Sequence, residues 1–188
     1  MSILRKSAFT IIELLVVISI IIILAGLILS TVGYVQKKGA RLRAEAEIAA
    51  ISAALESYKA DNGIYPTDSN TTEKLKASLD PDGGDPSKFI DAGKYLYKTI
   101  SGDTDGDPST GIETKPYLAF KPNMLSPNNT YVRDPFGSCY GYSTAKAANP
   151  TGTDGYNPTF DLWSTAGETA KKTGETFQQY QQRWIKNW

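Results

Sequence analysis

The sequence predicts an α+β protein in which one long N-terminal transmembrane and spine helix carries a head built on a small antiparallel β-sheet. Three observations carry this expectation. An almost unbroken apolar run, FTIIELLVVISIIIILAGLILSTV, fills residues 9–32. A helical period then continues through more polar sequence. After that, Gly-, Pro- and Asp-rich turns separate short segments of aromatic and β-branched residues.

The apolar run has 24 residues, which make ~36 Å of helix, enough to cross a hydrocarbon core of ~30 Å. It is too long for a secretory signal peptide, whose apolar region is roughly 7–15 residues. Arg5 and Lys6 flank it with no acid among the first seven residues, which places that end in the cytoplasm and the rest of the chain across the membrane. Glu13 interrupts the run, and an acid at mid-helix costs about 2.5–3.5 kcal/mol. Two accounts fit it. Glu13 is close to the headgroups and to the positive end of the helix dipole, which lowers the penalty. Alternatively, a cation lies at the same depth, and a cut just before Phe9 would create one, an α-ammonium four residues upstream.

Beyond Val32, the residues Ala44, Ile48, Ile51, Leu55 and Tyr58 recur at steps of four, three, four and three and form one apolar stripe. Arg41 with Glu45 and Arg43 with Glu47 are spaced for pairing on other faces. Asn62-Gly63 followed by Pro66 is a stop signal, so the helix is expected to continue to about Ala60, ~78 Å in all. Gly26 and Gly33 are its weak points. In the head, Asn70 and Glu73 predict a capping box for a short helix through Leu79, and 81–85 reads as a turn-rich loop. Residues 94–100 and 116–120 have the composition of strands. Asp134-Pro135-Phe136-Gly137 reads as a turn, and 159–164 alternates as a strand should.

Composition narrows the function. Lys plus Arg and Asp plus Glu are 20 each, so no excess charge is available for nucleic acid, which is not expected as a partner. With no histidine and only Cys139, an intramolecular disulfide, a histidine-containing zinc site and Cys-His or Ser-His nucleophiles are excluded. A non-enzymatic protein is expected.

Lys6-Ser7-Ala8-Phe9-Thr10-Ile11-Ile12-Glu13-Leu14 resembles the prepilin processing motif of type IV pilins and type II secretion pseudopilins. The resemblance implies that a prepilin peptidase cuts between Ala8 and Phe9 and methylates the Phe9 amine. It also implies that Glu13 meets a neighbouring subunit's ammonium during assembly. Ala8 stands where the family usually has Gly, a small residue that still suits a tight pocket. Ser30 stands where such proteins often carry Pro, so any melting of the helix on assembly would rely on Gly26 and Gly33.

Tyr58-Lys59-Ala60-Asp61-Asn62-Gly63-Ile64-Tyr65-Pro66-Thr67, then Asp134 to Tyr142, Asp161-Leu162-Trp163-Ser164 and Ile185-Lys186-Asn187-Trp188 are similar, in order, to segments of the major pseudopilin of type II secretion systems. The implied organisation is a leader at 1–8, a transmembrane and assembly segment at 9–32, a periplasmic part of the helix at 33–62 and a globular head at 63–188. The implied product is a single-pass inner-membrane protein that polymerises with copies of itself into a periplasmic pseudopilus. Its partners would be the prepilin peptidase, other pseudopilins and the inner-membrane secretion platform. The alternatives are a surface type IV pilin, whose common C-terminal disulfide cannot form with one cysteine, and a membrane-tethered module binding carbohydrate through exposed Tyr and Trp.

No cofactor is expected except, weakly, calcium. Asp103, Asp105 and Asp107 alternate as ligands of a calcium loop would, but Pro108 replaces the glycine of an EF-hand loop and Glu113 falls one position short. A solvated acidic turn is the stronger reading. The family resemblance implies a calcium loop after the Asp-Leu-x-Ser strand. Here that loop keeps Glu168 and Glu175 beside Lys171 and Lys172, a departure that speaks against it.

Overall fold

The structure is a computed structural model that describes residues 9–106, 110–128 and 130–188. Its first element, α1, runs over Ile11–Asn62, 52 residues. The chain divides into two compact units between Gly39 and Ala40, with part of α1 in each. In the first unit the apolar side chains from Ile11 to Leu27 are exposed, and α1 is long and apolar enough to cross a membrane. The helix continues through Gly26 and Gly33, where an added Cβ would meet nothing within 4 Å.

In the second unit the predicted stripe is the floor of the core. Ala44, Ile48, Ile51 and Leu55 are buried with Tyr140, Tyr142, Leu162 and Ile185. Arg41 pairs with Glu45 at 3.7 Å, as their spacing suggests. Glu47 accepts a hydrogen bond from the Tyr140 hydroxyl at 2.8 Å, and burial raises its pKa despite that bond and the charge of Arg43. The helix stops where Gly63, at φ 81°, sends its N–H back to the Lys59 carbonyl at 2.7 Å, a left-handed position that glycine takes without strain.

Three local expectations are corrected. The short helix after Asn70 is a series of turns organised by Asp68, whose Oδ1 accepts from Asn70 N and Thr71 Oγ1 at 3.0 and 2.9 Å. Glu73, the other half of the expected capping box, accepts from Thr67 Oγ1. Residues 94–100, expected as a strand, lie in helix α2, Ile90–Ser101, which buries Ala92, Gly93, Leu96, Tyr97 and Ile100. Their spacing is helical, and it outweighs the β-branched and aromatic composition. Residues 116–120 form no strand; Tyr117 and Leu118 donate to the Ile100 carbonyl, so this segment closes the C-terminal end of α2.

The sheet is antiparallel, in the order β1 (Gly141–Ser143), β2 (Asp161–Ser164), β3 (Ile185–Lys186). Short helices α3 (Ala145–Ala148) and α4 (Phe177–Gln181) sit in the connections between strands. The Asp134-Pro135-Phe136-Gly137 turn forms as expected, closed by Gly137 N to Asp134 O at 3.0 Å and flanked by the Arg133–Cys139 bridge. Opposite Trp163, residue 141 is glycine because a Cβ there would lie 2.2 Å from the indole ring. A second cluster packs Trp163 with Phe89, Cys139, Tyr180 and Trp184.

Candidate functional site

At the N-terminal end, Thr10 and Glu13 form a reciprocal cap. Glu13 Oε2 accepts from Thr10 N at 2.9 Å and from Thr10 Oγ1 at 2.8 Å, while Glu13 N donates to Thr10 Oγ1 at 3.3 Å. This is the Thr-x-x-Glu capping box, a signal present in the sequence that the reading of Glu13 as an assembly residue passed over. Phe9 is 80% exposed. With Ile12, Glu13, Val16 and Val17 it lines one shallow hollow. Ala8, the other half of the expected cleavage site, lies outside the described residues.

The acidic turn after α2 is more than a run of alternating aspartates. Glu113 N and Thr114 N donate to Gly102 O, which sets residues 110–114 back against 102–106. This brings carboxylate oxygens of Asp103, Asp105 and Glu113 within 4.8 Å of one another. Asp103 is 3% exposed. Its Oδ2 accepts from the Tyr97 hydroxyl at 2.9 Å and its Oδ1 from Gly106 N at 2.7 Å. Burial, with Asp103 adjacent, pushes the Tyr97 phenol up to about 12. Glu113 accepts from Thr104 N at 2.6 Å, and Asp105 from Thr110 Oγ1 at 3.1 and 3.2 Å. Asp107 lies outside the described residues. The third carboxylate here is Glu113, which linear EF-hand spacing set aside and which only the fold-back brings in.

After β2 the chain turns through Ala166 and Gly167, both at positive φ. The two glutamates of this connection converge on one cation. Arg183 Nε donates to Glu168 Oε1 and Oε2 at 2.7 and 2.8 Å, its Nη2 reaches Glu168 Oε2 at 2.5 Å and Glu175 Oε2 at 3.0 Å, and its Nη1 bonds Glu175 Oε1. Arg183 and the Lys172 amide hold the Glu175 carboxyl down to about 2. Sequence reading found the glutamates but not their partner, eight and fifteen residues further on.

Beneath this connection, Asp134 is buried. It accepts from Phe136 N and Ser138 N at 3.0 and 2.9 Å and from Ser164 Oγ at 2.5 Å. Burial raises its pKa. It therefore locks the turn before β1 to the end of β2. The tryptophans that a carbohydrate-binding head would expose are structural. Trp163 and Trp184 are buried, and Trp188 packs against Trp163 and stacks on Tyr156 at 4.6 Å.

The chain is similar in sequence to a family of known proteins. Residues 32–110 match the family model for type II secretion system protein G. The type II secretion system core protein G of Aeromonas hydrophila is 35% identical over 106 residues, which are 55% of this chain and 71% of that protein. Its counterpart in Klebsiella pneumoniae is 33% identical over 95 residues, 50% of this chain and 66% of that protein. The Pseudomonas aeruginosa protein is 37% identical over 95 residues, 50% of this chain and 65% of that one. No solved structure matches the chain. With its long exposed apolar helix, its small antiparallel sheet and these relatives, the chain belongs to the protein G family of type II secretion systems, the major pseudopilins.

Proposed function

We propose that the protein polymerises through α1 into a periplasmic pseudopilus whose growth drives export of folded proteins. The observation that carries this reading is the first part of α1. It is apolar on every side, exposed from Ile11 to Leu27, and carries a single carboxylate near its start. A helix apolar all round needs either lipid or other helices around it. It would have the first as a single-pass inner-membrane anchor and the second inside a filament of its own copies. The partners are those a growing filament needs: the prepilin peptidase, other pseudopilins and the inner-membrane platform. Deleting the gene and comparing secreted proteins with surface filaments tests the reading. Loss of secretion is the expected result. Loss of surface filaments with secretion intact would mean a surface pilin.

The mature chain is expected to begin at Phe9 with a methylated amine. Intact mass and the N-terminal peptide of membrane-extracted protein check this. A terminus still at Met1 in cells with an active prepilin peptidase would refute it.

A further inference from the structure

We infer that the loop joining β2 to β3 is closed by the Arg183 guanidinium in place of a calcium ion, so that this part of the head is independent of metal. Calcium at this place is what the family resemblance implies, and the residues present do not fit it. Calcium takes six to eight oxygens, and its affinity rises with the number of carboxylates. The loop offers two, Glu168 and Glu175, and all four of their oxygens already face Arg183. Glu175 Oε2 also accepts from Lys172 N at 2.9 Å. The Glu168 carbonyl, a further oxygen, accepts from the Tyr180 hydroxyl at 3.2 Å. Lys171, within the same loop, is paired with Asp80 at 2.6 Å. Thr165 Oγ1, buried with no partner among the described residues, would add one neutral oxygen. A divalent ion entering here would have to displace a charge that is covalently part of the chain.

The exchange of cation has a physical consequence. A planar guanidinium presents its N–H groups as a fork that matches two carboxylates at once, which a point charge does not. Its occupancy does not depend on concentration. A bound ion stabilises the folded state only in proportion to the logarithm of its excess over Kd. An arginine held by the backbone at Tyr180 and by Arg41 is in place at every calcium concentration. Arg183 N donates to Tyr180 O at 3.2 Å, and its own carbonyl accepts from Arg41 Nη1 at 2.8 Å.

The test is amide hydrogen exchange across residues 167–176 of the full-length protein in detergent, in chelator and in millimolar calcium. For the native chain the two profiles are expected to coincide. In Arg183→Gln, exchange in this segment should quicken about ten-fold or more in either medium, since two carboxylates are then left facing each other. Glu168→Gln/Glu175→Gln gives the same opening from the other side and serves if Arg183→Gln does not fold. Calcium protection of 167–176 in the native chain would overturn the inference. So would unchanged exchange in both variants.

Discussion

Glu13→Ala is expected to leave the protein in the membrane and to abolish its incorporation into filaments. Removing an acid from an apolar helix makes insertion easier, by about 2.5–3.5 kcal/mol if the acid is at mid-helix. Any defect must therefore arise after insertion. The capping box adds a competing explanation, because Glu13 also satisfies the Thr10 amide, and loss of a cap costs about 0.5–2 kcal/mol. Glu13→Gln separates the two. Glutamine still caps at this position but carries no charge to meet an ammonium. Crosslinking of membrane-extracted filaments is expected to show Gln as defective as Ala. If the Gln variant assembles at the native level, the carboxylate acts as a cap and the charge pairing is wrong.

Trp163→Ala is expected to lower the stability of the head by about 3–5 kcal/mol, the range for deleting a large buried aromatic side chain. The indole is fully buried, and it stacks edge-on to Phe89 with ring centroids 5.0 Å apart. Its Nε1–H donates to Gly83 O at 2.9 Å, so truncation also strands a carbonyl. Set against a total of ~5–15 kcal/mol for a typical domain, that loss removes much of the margin. Denaturant unfolding followed by circular dichroism measures it. A midpoint equal to that of the native chain would show that the second cluster does not hold the head together. Trp163→Phe, which keeps a ring but loses the donor, should fall between the two.

Much of this was legible in the sequence because period and punctuation agreed. The stripe from Ala44 to Leu55 is buried as its spacing required, and Gly63 ends α1 where Asn62-Gly63 announced it. The strand at Asp161–Ser164 and the turn at Asp134 also form. The failures have a common cause, contacts that only the fold supplies. In α2, Tyr95, Tyr97, Thr99 and Ile100 suggested a strand. Ala92, Leu96 and Ile100, at steps of four, held the helical signal, which decides once one face is buried. Glu113 joins Asp103 through a fold-back, and Arg183 meets Glu168 across a turn at Gly174. Neither spacing matches a helix or strand period, so no local pattern could reveal it.

The hydrogen bonds that tie the head together have a kinetic consequence. Arg41 binds the carbonyls of Arg183 and Trp184, 142 and 143 positions away. Gln181 Nε2 reaches Ala77 O across 104 positions and Tyr180 reaches Gly84 O across 96. Each contact requires a long stretch of chain to be closed before any of it is rewarded. Folding of the head is therefore a slow, cooperative search, and its apolar surfaces stay open while the search lasts. α1 is long and apolar enough to cross a membrane, and if it inserts before the head has folded, the most adhesive part of the chain is withdrawn from water and the risk of misassembly falls.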